Sequence, residues 1–144
     1  MHPLRRAAIT GLTIAAVAIV TPAAQATNPG DAMVASINAV RSTHHLAPLA
    51  TARALTRGAT SHSHNMLANG CFAHAKQLHA ASFGTVGEII EWHTGSVRVR
   101  KAMQAWLNSP PHRALILTAG FRYAGAGWAT GKRRTFWTVR FGSR

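Results

Sequence analysis

Met33, Ile37 and Val40 recur at helical spacing after Asp31, which predicts an α-helix over residues 31–42 with Asp31 as its N-cap. The segment "HLAPL" breaks it. Leu55, Ala59, His62 and Met66 then fall on one face, predicting a second helix over 52–69 that Gly70 closes as the residue after the last turn. A histidine on such an apolar stripe is expected to hydrogen-bond to backbone or a neighbour rather than to serve as a ligand. After an irregular stretch, Ser96 is placed to cap a third helix, with Val99, Met103 and Trp106 or Leu107 inward and Arg98 and Lys101 in water. Pro110 and Pro111 end that helix. Pro111, lacking an amide hydrogen, is suited to begin a short helix, "PHRALIL", with His112 in its first turn, where the helix dipole favours a neutral imidazole.

The last third of the chain changes period. "FRYAGAGWA" and "RTFWTVRFG" flank the polar turn "TGKRR", and Trp137, Val139 and Phe141 alternate with Thr138 and Arg140, the pattern of a hairpin with one buried face. Gly125 and Gly127 alternate with Ala126, so another backbone or side chain is expected to approach that strand closely. Helices first and paired strands last predict an α+β sandwich.

The N-terminal segment changes the domain count. Arg5 and Arg6 precede an apolar run over Ala7–Val20, and "AQA" at 24–26 supplies small residues for cleavage, so residues 1–26 read as a secretory signal peptide. The run is shorter than the roughly 20 residues a membrane-spanning helix needs. Residues 27–144 remain, the size of one compact domain, and a 47% hydrophobic composition agrees with a folded chain. The expected address is extracellular.

Charge narrows the partners. Sixteen Lys and Arg face only Asp31, Glu88 and Glu91, for a net charge of +13. Outside the cell, such a surface is expected to attract acidic wall polymers or membrane headgroups. The basic residues are scattered without aromatic interleaving, so no nucleic-acid partner is expected. Cys71 is the single cysteine, which excludes an internal disulfide. In "NGCFAH", beside Phe72, it is expected to be a buried thiol rather than a nucleophile.

The ordered motifs "HSHNM", "FAH", "GEII", "AWLNSPPHRALIL", "GAG" and "FWTVRFG" resemble the CAP superfamily of SCP-like extracellular domains in its bacterial form, over about Met33 to Gly142. The resemblance implies a three-layer α-β-α sandwich around a central antiparallel sheet. It also implies a cleft in which His74, Glu88 and His112 stand at the family's positions. Ser109 occupies the place of the family's second glutamate, Ile89 replaces its usual asparagine, and the segment between His74 and Glu88 is short.

Elementary chemistry gives the cleft two readings. Two neutral imidazoles suit Zn²⁺, with His74 and His112 as the ligands, and Glu88 is suited to be a third ligand, an orienting partner or a general base. His44, His45, His64, His79 and His93 are expected at the surface or in local hydrogen bonds. One reading is a module that binds a lipid, sterol-like or wall-derived ligand in a cleft containing His74, Glu88, Ser109 and His112. The other is a metal-assisted hydrolase with Glu88 as its candidate catalytic residue. The chain has no "HExxH" signature and no serine-nucleophile elbow, and Ser109 is expected to cap a helix rather than attack a substrate. Binding is the favoured reading.

Overall fold

The computed structural model describes residues 28–78 and 82–144. The expected signal peptide and His79 lie outside the described residues. The elements run α1 (Pro29–Thr43), β1 (Ala50–Thr51), α2 (Arg53–Asn69), β2 (Val86–Thr94), α3 (Val99–Leu107), α4 (Pro110–Ile116), β3 (Tyr123–Gly131) and β4 (Arg134–Gly142).

The helix ends show which local signals prevailed. Asn28, not Asp31, caps α1: its Oδ1 accepts from the Gly30 amide at 2.8 Å, and Pro29 has no amide to satisfy. Asp31 sits in the first turn, where its charge favours the helix N-terminus. Gly70 closes α2 at φ 63°, as expected. Ser96 does not cap α3. Its carbonyl accepts from His93 Nε2, and the helix starts three residues later with Arg98 at the N-cap position.

Strand order in the sheet is β1-β3-β4-β2. β3 and β4 form the expected hairpin, β2 pairs antiparallel with β4, and the two-residue β1 adds a parallel edge beside β3. The stretch expected to be irregular thus contains a nine-residue strand. It was illegible by period because Gly87 through Glu91 are all buried, which erases the alternation of a half-exposed strand.

β4 is also buried along nearly its whole length, so the expected single buried face is corrected to two. Thr138 and Arg140 face α2, while Trp137, Val139 and Phe141 face α1, α3 and α4. This makes three layers, with α2 alone on one side. Gly125 and Gly127 let α2 lie directly on the sheet, since a Cβ at either would strike the backbone at Thr56 or Thr60. The opposite layer holds the main core, in which Trp106, Trp137, Met33, Ile37 and Phe141 are sealed. Each contributes about 1.5–3 kcal/mol by leaving water.

Arg41 is buried in that layer. Its guanidinium joins α1 to the end of α4 by donating to the carbonyls of Ala47, Ile116 and Thr118 at 3.0, 2.8 and 2.9 Å. Burial, and then the charge of Arg122, hold its pKa below the usual arginine value.

Candidate functional site

Side-chain parity on β2 decides where its acids point. Glu88 faces α2 and Glu91 the opposite layer, because a strand turns successive residues to opposite faces. Glu88 lies in register with Arg140 of β4, whose Nε donates to Glu88 Oε2 at 3.0 Å. Glu88 Oε1 accepts from the Ala75 amide at 3.0 Å and pairs with His74 Nδ1 at 3.1 Å. Its side chain is only 2% exposed. Burial alone would raise its carboxyl pKa, but the Ala75 amide, the His74 ring, Arg140 and the nearby His62 together hold it below the usual carboxylate range.

His74 comes from the loop that follows Gly70 and has a side chain 56% exposed. Glu88 fixes one nitrogen and leaves the other side of the ring to solvent. His62, in the second half of α2, pairs through Nε2 with the Ala73 carbonyl at 2.9 Å and lies 3.8 Å from Glu88 Oε1. The backbone partner expected for it is present. Ser63, rather than His62, occupies the sealed part of the α2 stripe, bonded to Thr138 and to the Gly127 carbonyl.

His112 stands in the first turn of α4, half-buried, with Nδ1 2.8 Å from Ser109 Oγ. Ser109 holds the N-cap position, but its hydroxyl makes no capping bond. The expected cap is therefore corrected. Pro110 and Pro111 at the first two helical positions have no amide to offer, so the hydroxyl pairs with the ring three residues on. Burial, and then the charge of His74, lower the His112 pKa, so the ring is held neutral.

β2 is an edge strand, and the two sides of the molecule meet beyond it. Phe72 from the loop after α2 lines one depression of about 260 Å³ with Ile90, Trp92, Ser109 and His112. A second, of about 490 Å³, lies between α2 and the His74 loop and reaches Arg140. His74, Glu88, Ser109 and His112 thus gather around one edge of the sheet, although Glu88 is beneath the surface.

Cys71, expected to be buried, is exposed. The left-handed turn at Gly70 sends the chain out over the surface, and Phe72 follows it into solvent. Sequence reasoning also left out Arg140 and the flanking rings of Phe72 and Trp92. The signal for Arg140 was available only with the missing strand, since pairing β2 with β4 puts Glu88 opposite Arg140. His93, expected in local bonds, is buried with Nδ1 3.0 Å from Glu91 Oε2 and Nε2 3.0 Å from the Ser96 carbonyl.

Among the described residues, no group of three or more His, Cys, Asp and Glu side chains is arranged to hold a metal ion. Glu88 has both oxygens engaged by the protein and does not suit a third ligand. Each of the two rings has Nδ1 held by a partner, His74 by Glu88 and His112 by Ser109, so Nε2 is the nitrogen that each could offer to a metal.

No curated protein sequence matches the chain. Among solved structures, an outer surface protein from Borrelia burgdorferi aligns at TM-score 0.69 and 20% identity, over 79% of this chain and 91% of that one. The SCP domain of an extracellular protein from Bacillus anthracis aligns at TM-score 0.67 and 27% identity, over 81% of this chain and 40% of the Bacillus protein. A cysteine-rich secretory protein from Staphylococcus aureus aligns at TM-score 0.59 and 17% identity, over 85% of this chain and 41% of that one. The sequence signature of the cysteine-rich secretory protein family, CAP, matches residues 34–141. With this match over most of its length and the sandwich just described, the chain belongs to the CAP family.

Proposed function

We propose that this CAP domain acts outside the cell as a binding module, taking a lipid, sterol-like or wall-derived ligand in the cleft at the edge of β2. The observation that supports binding over hydrolysis is the closure of Glu88. A general base needs a free oxygen within reach of the substrate's proton, whereas both oxygens of Glu88 are hydrogen-bonded and its side chain is sealed. Glu88 then orients His74 and anchors the loop. Phe72, Trp92 and His112 supply the apolar surface and the polar point that a mainly hydrophobic ligand requires. The extracellular placement draws on the Borrelia and Bacillus relatives, an outer surface protein and an extracellular protein.

Zn²⁺ bound weakly through His74 and His112 belongs to the same reading, and would supply an open Lewis-acid position for an anionic ligand group. The alternative is a metal-assisted hydrolase in the same cleft of His74, Glu88 and His112, and it would require Glu88 to release a hydrogen bond before taking a proton from substrate. Native mass spectrometry of the protein recovered from its own host, beside turnover assays on peptide, ester and muropeptide substrates, tests the choice. A bound ligand that is lost in His112→Ala is expected. Metal-dependent hydrolysis that disappears in a folded Glu88→Gln variant would overturn the proposal.

A further inference from the structure

The β3–β4 hairpin turns through Lys132 and Arg133, both in the left-handed region at φ 48° and 61°. A two-residue hairpin turn of this kind is ordinarily made by Asn-Gly or Gly-Gly, because a Cβ is disfavoured at positive φ. Here the strained positions hold two long cations. Next in the chain, the Arg134 guanidinium lies 5.5 Å from the centre of the Trp92 ring. Trp92 itself stacks on Phe136 yet remains 43% exposed, and Phe72, in the same depression as Trp92, is 47% exposed. Among the described residues these are the exposed large hydrophobic side chains. Lys132 and Arg134 also line a hollow beside Gly70, at the end of α2 from which the Phe72 loop departs. One end of the sandwich therefore presents two aromatic rings and three successive cations.

We infer that this end, Phe72, Trp92 and the hairpin tip Lys132–Arg134, docks on the headgroup layer of an anionic lipid bilayer. Charge alone would suit any polyanion. The rings decide for a bilayer: an indole and a phenyl ring held in water beside cations gain by entering the headgroup–acyl boundary, where Trp is favoured and Lys and Arg reach phosphates. A soluble anionic polymer offers the rings no such environment. No helix among the described residues is long and apolar enough to cross a membrane. Such docking rests on the binding-module reading and shares Phe72 and Trp92 with the cleft, whereas Lys132, Arg133 and Arg134 lie outside that depression, so substituting the turn is expected to weaken vesicle binding and leave occupancy of the cleft unchanged.

The test uses the full chain and vesicles of phosphatidylcholine with or without phosphatidylglycerol. Lys132→Asn/Arg133→Gly puts Asn-Gly at the turn, so the melting temperature should hold or rise while affinity for the anionic vesicles falls about tenfold or more. Arg53→Gln/Arg57→Gln removes the same charge from α2 and should cost less than about threefold. Brominated phosphatidylglycerol should quench tryptophan emission, and Trp92→Phe should abolish the quenching. Trp106 and Trp137 are sealed, Trp128 packs on Trp137, and the segment before Asn28 contains no tryptophan. Equal binding by the Asn-Gly variant, or an equal loss in the α2 control, would overturn the inference. Binding of polyphosphate with the same dependence on Lys132 and Arg133, without quenching by brominated lipid, would assign the surface to a soluble polymer instead.

Discussion

Arg140 of β4 stands directly across from Glu88 of β2 and donates Nε to Glu88 Oε2 at 3.0 Å. The pair turns the cleft acid into a buried anion with a fixed counter-charge. That assignment separates a positioning role for Glu88 from a catalytic one, because only a free carboxylate can take a proton from substrate. Glu88→Gln keeps the size of the side chain but leaves the buried Arg140 guanidinium without its charge partner. Removing one member of such a pair costs about 3 kcal/mol, so urea denaturation should show a clear loss of stability. Glu88→Gln/Arg140→Met should recover part of it. A stability unchanged by Glu88→Gln would contradict the pairing.

The stability should fall with acid in two windows. His112 has a lowered folded pKa, so below its ordinary value of 6.5 the unfolded chain takes up the proton first and stability declines until the folded ring also titrates. Glu88 is likewise lowered: its contribution is complete above its ordinary value of 4.5 and is lost as pH drops through the folded value. Melting temperatures between about pH 8 and about pH 3 should show both, and His112→Ala should remove the upper contribution alone.

Ser109 tests the metal proposal without touching a ligand. The hydroxyl at 2.8 Å holds the His112 ring by Nδ1, and loss of such an orienting partner typically weakens metal binding about tenfold or more. Ser109→Ala should therefore lower zinc affinity in calorimetry, with little change in melting temperature because the hydroxyl makes no capping bond. His74→Ala/His112→Ala should abolish it. Zinc binding that survives the double variant would place the metal elsewhere.

Gly127→Ala should be among the most damaging small substitutions. The added methyl would meet the α2 backbone at Ala59 and Thr60, which neither helix nor strand can give up without opening the layer. Overpacking of this kind costs about 3 kcal/mol. Ala126→Gly, at the neighbouring position that faces the other layer, should instead weaken packing modestly, and thermal unfolding of the two separates close approach from simple strand propensity.

Arg41→Lys keeps the charge and shortens the reach. The guanidinium serves three carbonyls from different segments, which an ammonium cannot reproduce with the same spread. Each charge-assisted bond lost costs about 1.5–3 kcal/mol. A fall in the denaturation midpoint is expected, with hydrogen exchange increasing first near the end of α4.

The sequence by itself determined the elements whose signals are local. Periods in Met33–Val40 and Leu55–Met66, the left-handed stop at Gly70 and the alternation through Trp137–Phe141 specify two helices and a strand before any tertiary contact is known. Gly125 and Gly127 also announced a close neighbour, because a missing Cβ is a steric statement that survives in one dimension. The motif order carried the family and placed His74, Glu88, Ser109 and His112 in one region.

Only the tertiary structure decided what those residues do. β2 was hidden because burial on both faces removes the contrast between polar and apolar positions, and with β2 hidden the partner of Glu88 was hidden too. Strand register, set by long-range pairing, brings Arg140 to Glu88 and closes the acid. Exposure behaved the same way: Cys71 and Phe72 look buried by type, but their place outside the last turn of α2 puts them in water. Local chemistry determines the backbone an amino acid prefers, whereas solvent access and charge pairing depend on residues far away in sequence, which only the packed layers bring together.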